Sequence, residues 1–396
     1  MPSYRFRDGF VFSPDSPGWA AVVAQAYRGK DRPVCLCHTQ GSEPPMYIAA
    51  LKGAHVVKRM PLSGALHAPH CEHYEPPPEL SGLGQVVGHA IREDPEAEIT
   101  TLSLDFALTK GPSRAPAASV AAEHESVRSD GTKLTLRATL HYLWDEAGLT
   151  RWSPRMAGRR SWAVVQRELL AAAANKVTKG RALNELLFVP ETFHSEDKAA
   201  IQARQAQHLS RLSDTTSARM LLIAEVKALE PARFGHRLVC KHLPDLPLQV
   251  NDDLHRRLTT VFRGPLALWA QLEETHMLVI GVFSQAVPGA YELESACLVN
   301  VNAGWLPFES MQEHALLEAL AHRRFTKGQR YNLPSGRPLA SAILNDAAEP
   351  TALYLVPAEA PESVETVIRD LADGSGLGSW LWRAREGEMP ALPALA

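Results

Sequence analysis

The stretch that decides the reading is Cys35-Leu36-Cys37-His38, followed after a gap by His67-Ala68-Pro69-His70-Cys71. Three of the chain's five cysteines lie here; the others are Cys240 and Cys297. Thiolate and imidazole are the donors that a tetrahedral zinc site takes. A C-x-C pair in an extended turn can direct both sulfurs to one ion. His67 and Cys71 are spaced i, i+4, which places both on one face of a helical turn, and Pro69 is tolerated where such a turn is only beginning. The expected ligands are therefore Cys35, Cys37, His67 and Cys71, with His38, His70 and His73 as rivals for the histidine position. Between the two ligand pairs, residues 46–51 (MYIAAL) and 55–60 (HVVKRM) read as a hairpin turning at Lys52-Gly53, which brings the pairs together.

The competing reading is that these are packing cysteines. Three cysteines and several histidines so close together favour metal where thiols stay reduced. A fourth cysteine is lacking, so zinc suits the segment better than an iron–sulfur cluster. Four protein ligands make a closed, structural site; a catalytic zinc keeps one position open for water.

Outward from that segment, the 396 residues suggest two or three domains. With 45% hydrophobic and 21% charged residues, the chain can bury a core. Its formal net charge of −3 excludes a global polycation. The longest apolar runs are too short to span a bilayer. Residues 1–7 (MPSYRFR) lack the apolar core of a secretory signal, which places the chain in the cytoplasm.

The expected fold class is α+β in three parts. Residues 1–80 form the zinc-binding module, ending on Pro76-Pro77-Pro78, whose extended preference suits a linker. Residues 81–215 form a mostly helical, basic segment. It includes a Pro/Ala/Ser surface loop at 111–122, a helix at 134–146 (LTLRATLHYLWDE), a second at 161–175, a short strand within 183–193 and a helix at 198–212. Residues 216–396 form an α/β domain, with strands at 220–226, 236–241, 277–284, 292–300, 340–344 and 352–356. Helices are expected at 310–323 and 363–372, the first with Met311, Leu316, Leu317 and Leu320 inward.

The cysteine segment and much of the remaining chain resemble a bacterial family catalogued as domain-of-unknown-function family 1173. The resemblance rests on Cys35, Cys37 and Cys71, on His67-Ala68-Pro69, Leu140-His141-Tyr142-Leu143-Trp144, Arg151-Trp152-Ser153-Pro154 and Val189-Pro190-Glu191. It continues through Trp305-Leu306-Pro307 and residues 325–332 (FTKGQRYN). Such proteins occur on plasmids and integrative conjugative elements, which implies a link to mobile DNA. Residues 305–356 also resemble the restriction-endonuclease-like fold, with Glu309 or Glu313 as the early acid. The two strands that would carry the metal-binding acids and the lysine carry none of them; Asp346 and Glu349 lie in the loop between. The resemblance thus implies a degenerate, inactive nuclease shell, and an unrelated α/β domain is the competing reading.

Charge supplies the remaining signal. Residues 133–181 hold ten Lys/Arg against three acids. Helix, basic loop, helix, basic turn and short strand could be a winged helix, with Arg151, Arg155, Arg159, Arg160, Arg167, Lys176, Lys179 and Arg181 facing phosphates. A second cluster holds Arg323, Arg324, Lys327, Arg330 and Arg337. The competing reading pairs these with acids inside the protein, among them the seven at 345–376. Trp144, Trp152 and Trp162 read as core anchors. No P-loop, G-x-S-x-G elbow or H-E-x-x-H pattern is present.

The expected function is a non-catalytic, DNA-associated accessory protein of a mobile element, with DNA and other mobile-element proteins as partners. The alternatives are an interaction scaffold in a conjugation or defence assembly and a metal-dependent nuclease with unplaced acids.

Overall fold

The computed structural model describes residues 2–38, 41, 43–51, 54–60, 63–109, 131–212 and 218–396. The Lys52-Gly53 turn and the 111–122 loop lie outside these residues. The fold is mixed α+β.

The longest strands form a barrel. Met220–Pro231 pairs antiparallel with His236–Cys240, and that strand pairs antiparallel with Leu248–Val250. Leu248–Val250 runs parallel to Ala290–Val301, which pairs antiparallel with His276–Val287. His276–Val287 then returns to Met220–Pro231, also antiparallel, and the circuit of five strands closes. Helices Asp252–Val261 and Arg263–Gln271 connect the third strand to the fourth in chain order. The first of them starts at Asn251, whose side chain accepts from the Leu254 amide, an N-cap that satisfies an otherwise orphaned donor. Leu254 and Leu258 on that helix join the apolar cluster inside the barrel.

Side chains alternate across a strand, and here both faces are apolar. Met220, Leu222, Ala224 and Val226 point into the barrel, whereas Leu221 and Ile223 belong to a second cluster outside it. Met277 and Val279 likewise face inward, and Leu278, Ile280 and Val282 outward. This explains why residues 277–283, and residues 220–226 apart from Glu225, read as apolar runs.

Helices Leu136–Glu146 and Trp162–Ala173 supply the other half of the outer cluster, through Leu140, Leu143, Trp144, Trp162, Val165 and Leu169. Thr135 caps the first helix by accepting from the Ala138 amide. One apolar cluster therefore draws on residues from both sides of position 215. Beside the helices lies a four-stranded sheet, ordered Arg181–Ala182, Lys176–Thr178, Ile99–Leu102, Ile91–Asp94. These strands span only two to four residues, too short for periodicity to register. The 183–193 segment begins with a helical turn, Leu183–Leu186, before the strand Leu187–Phe188.

The C-terminal sheet runs in the order Gly378–Arg383, Thr351–Val356, Ala340–Leu344, Phe325–Lys327, Arg151–Trp152. Its edge strand is thus contributed by the middle of the chain. Helix Met311–Ala319 starts at Ser310, whose hydroxyl accepts from the Glu313 amide. Leu316, Leu317 and Leu320 are buried as expected, but Met311 is 44% exposed. At 3.6 residues per turn it lies on the side of the helix opposite those three leucines. Leu80, just after the proline run, packs against Tyr354 and Ile368 in a cluster on this sheet, so that run leads into the core.

At the N-terminus, Tyr4–Arg5 pairs with Val11–Phe12 on one side and Val34–Cys35 on the other. Helix Trp19–Arg28 and the hairpin Met46–Leu51 with Ala54–Arg59 complete the module. No helix among the described residues is long and apolar enough to cross a membrane.

Candidate metal centre

Cys35 ends its strand opposite Tyr4. The Cys35 amide donates to the Pro44 carbonyl and the Leu36 amide to that of Ser3, so the chain stays extended. In extended backbone residues i and i+2 share a side, which sends Cys35 and Cys37 the same way. The hairpin carries the chain back: Met46 pairs with Arg59, and the Met60 amide donates to the Pro45 carbonyl. His67 then follows the short 3-10 turn Gly64–Leu66 with extended dihedrals.

His67 and Cys71 are brought together by a tight turn and not by the helical turn expected from their spacing. The Cys71 amide donates to the Ala68 carbonyl over 2.8 Å. Pro69 takes the second position of that turn, where its fixed φ is favourable.

The four expected donors converge. Cys35 Sγ and Cys71 Sγ are 3.8 Å apart, Cys37 Sγ and His67 Nδ1 3.6 Å, and Cys71 Sγ and His67 Nδ1 3.7 Å. All four ligand atoms lie within 4.8 Å of one another, a set that could hold a metal ion. Metal–sulfur bonds of about 2.3 Å in a tetrahedron give S···S edges of roughly 3.8 Å, and a metal–nitrogen bond shortens an edge slightly. The spacing therefore fits a single ion. The rival histidines are committed elsewhere. His38 Nε2 meets the Leu66 carbonyl at 2.9 Å, His73 Nε2 meets the Tyr4 hydroxyl at 2.6 Å, and His70 is exposed.

The surroundings favour thiolate at Cys71, whereas burial pushes Cys37 up. The Ala68 amide donates to Cys37 Sγ at 3.3 Å and the His73 amide to Cys71 Sγ at 3.5 Å. Donation from the Cys35 thiol, with help from His67 and the His73 amide, holds Cys71 down to about 3 against its burial. Cys35, which gives that hydrogen bond and is itself buried, is pushed up. Desolvation by burial lowers His73 to about 4, which keeps it neutral beside the cluster. His67 faces the sulfurs through Nδ1, and its Nε2 is buried with no hydrogen-bond partner among the described residues.

Behind the cluster the module meets the body through charge. Arg59 pairs with Glu75 and reaches Glu146 at 4.0 Å. Glu146 also holds Lys176, a fully buried lysine, at 2.7 Å. Burial would raise Glu146, but Lys176 and Arg59 outweigh it and hold the carboxyl at about 2. Its neighbour Asp145 accepts from Thr150 and Tyr331 hydroxyls, yet desolvation and the Glu75 charge push it up to about 6. The residues gathered in this junction had no signal in the sequence, because their partners lie far apart along the chain.

The basic residues separate into two groups. Arg151 donates to the Glu72 carbonyl and to Glu75, Arg160 to the carbonyls of Leu149 and Gly304, and Arg323 to Asp346. Lys327 pairs with Glu313 at 2.8 Å and Arg330 with Glu309 at 2.6 Å. With Lys176, these six are engaged inside the protein. Arg167 is exposed but paired with Glu168. Arg155, Arg159, Lys179, Arg181 and Arg324 are exposed, and no ion pair involves them among the described residues. Trp144, Trp152 and Trp162 are core anchors, each donating its indole N–H to a backbone carbonyl.

The family model described as "Protein of unknown function (DUF1173)" matches residues 6–385, and the chain belongs to that family. No curated protein and no solved structure matches the chain.

Proposed function

We propose that this family member is a non-catalytic, DNA-associated accessory protein of a plasmid or integrative conjugative element. It works in the cytoplasm beside other proteins of that element, and Zn²⁺ staples its N-terminal module. Three thiolates and one imidazole are a zinc donor set, and four protein ligands leave no open position for catalysis.

The observation that carries the DNA reading is the hairpin tip at Lys179-Gly180. Lys176–Thr178 and Arg181–Ala182 pair with Thr178 opposite Arg181, and both central residues have positive φ, 47° and 75°. This is a tight two-residue turn that suits the twist of the flanking strands. It presents two cations with no ion pair among the described residues directly after helix Trp162–Ala173, with exposed Arg155 and Arg159 preceding that helix. Helix and hairpin serve as the recognition helix and wing of a winged-helix unit, and duplex phosphates meet the four cations.

A duplex-binding titration across salt tests this. Wild type binds at low salt with a steep slope of log K against log salt. Lys179→Glu with Arg181→Glu weakens binding on every duplex sequence and flattens the slope by roughly 2. A wild type that binds no duplex at low salt defeats the proposal.

A further inference from the structure

The barrel has one face covered and one face bare. Its first, fourth and fifth strands send Leu221, Ile223, Leu278, Ile280 and Val299 into the helical layer. On the second and third strands the inward residues Leu238, Cys240, Leu248 and Val250 are buried, whereas Arg237 and Gln249, which pair with each other in register, are exposed.

The connectivity is specific. Numbered along the chain, the strands close in the order 1-2-3-5-4-1, the third and fifth are parallel, and helices join the third to the fourth. This is the connectivity of the OB barrel, whose face on strands two and three, flanked by the 1–2 and 4–5 loops, takes extended oligomers. Fold alone does not assign a ligand, so the residues must.

At the 1–2 loop, Phe234 is 79% exposed, and the Arg233 guanidinium lies 5.5 Å from its ring centroid. At the 4–5 turn Val287 is 60% exposed. Lys227, at a bulge on the first strand, is exposed. Neither Lys227 nor Arg233 is in an ion pair among the described residues. The acids nearby have partners: Glu230 holds Arg237, Asp253 holds Arg256, Asp252 faces His236 at 3.5 Å, and Glu292 accepts from Asn251. The face thus offers an open aromatic ring with one cation against it, and a second cation further back along the first strand. A base stacks on such a ring whatever its sequence, and free cations suit the phosphates that link bases; an uncharged oligosaccharide has no use for them.

We propose that this face binds single-stranded nucleic acid, with Phe234 stacking on a base and Arg233 and Lys227 meeting the backbone. The site is separate from the Lys179-Gly180 hairpin and does not depend on the duplex reading.

The test uses the full chain carrying Lys179→Glu and Arg181→Glu, so that hairpin contacts do not contribute. Fluorescence anisotropy is followed with labelled oligo(dT) and oligo(U) of about 16 nucleotides and with a duplex of equal length. Either single strand binds at low salt, and more tightly than the duplex; the two arms say whether DNA or RNA is preferred. Phe234→Ala lowers single-strand affinity roughly tenfold and Phe234→Trp restores it, with tryptophan emission quenched on binding. Arg233→Glu weakens binding and flattens its salt slope by about 1. Melting curves check that each variant is folded. A blank with both single strands overturns the proposal and leaves the face to a protein partner. Binding that Phe234→Ala and Arg233→Glu leave unchanged overturns it too.

Discussion

The metal module and the barrel are both small β structures with cysteines in or beside their cores, and they are held together differently. The module's apolar cluster has seven buried residues, among them Tyr4, Val23, Cys35 and Met46. The cluster inside the barrel has nineteen, and the barrel strands bury a second apolar face against helices. Burial stabilises roughly in proportion to apolar area, and a module of this size falls short of the entropy it must offset. The difference teaches where a staple is required. Cys35 and Cys71 in the module face each other and His67, whereas Cys240 in the barrel simply fills space, and burial pushes its thiol up to about 12.

With Zn²⁺ bound as proposed, the largest effect should come from removing it. Structural zinc contributes about 10–16 kcal/mol of apparent binding energy, and that energy is folding energy. Chelation, or Cys71→Ser, should unfold the module and leave the barrel standing. Native-state hydrogen exchange reads this directly. The Cys35 and Leu36 amides, which donate to Pro44 and Ser3 carbonyls, should lose protection, while Val279 and Ile280 keep theirs. Module amides that stay protected after chelation would break the contrast.

The two regions were unequally legible in the sequence. The ligands could be named because donor chemistry is written in residue identity: Cys35, Cys37, His67 and Cys71 converge as expected. His67 was preferred for its spacing from Cys71, but what sets aside His38, His70 and His73 depends on which ring faces the sulfurs after the 68–71 turn. In the barrel the reverse holds. The apolar runs at 220–226 and 277–284 marked strands, but closure depends on pairings such as Leu248 with Tyr291 and Ile223 with Ile280. Those pairings are long-range, and Leu248–Val250 is a three-residue strand with no pattern of its own. Which cations of the charge footprint are engaged internally was not legible for a similar reason. Lys176 and Arg160 look like phosphate ligands until the fold brings Glu146 and the Leu149 carbonyl to them.

A smaller effect tests the barrel's outer layer. Leu278 is fully buried and faces the helices, away from the barrel interior. Leu278→Ala leaves a cavity there and should cost about 3–5 kcal/mol. Urea unfolding followed by tryptophan emission should show an earlier midpoint, with metal content per chain unchanged. A cost under about 1 kcal/mol would mean that the layer is loosely packed and that the helices do not share the barrel's core.

The smallest effect lies where the two regions are joined. Asp145 sits on the helix that packs on the barrel and is pushed up to about 6 by desolvation and by Glu75, which the module contributes. A carboxyl with a folded pKa above its unfolded value of about 3.9 binds its proton more tightly when folded. Its contribution is fully present below about pH 4 and is lost as pH rises through 6. The loss is about 2 kcal/mol once partial exposure is allowed for. Asp145→Asn should remove this decline and leave the variant more stable than wild type at pH 7. The Thr150 and Tyr331 hydroxyls can each donate or accept, so the amide keeps partners on both sides. Because Glu75 is part of the cause, chelating the metal and releasing the module should also shrink the wild-type decline between pH 4 and 6. Urea midpoints at several pH values, with and without chelator, give both slopes. A decline that chelation leaves untouched would assign it to desolvation alone and show that module and body titrate independently.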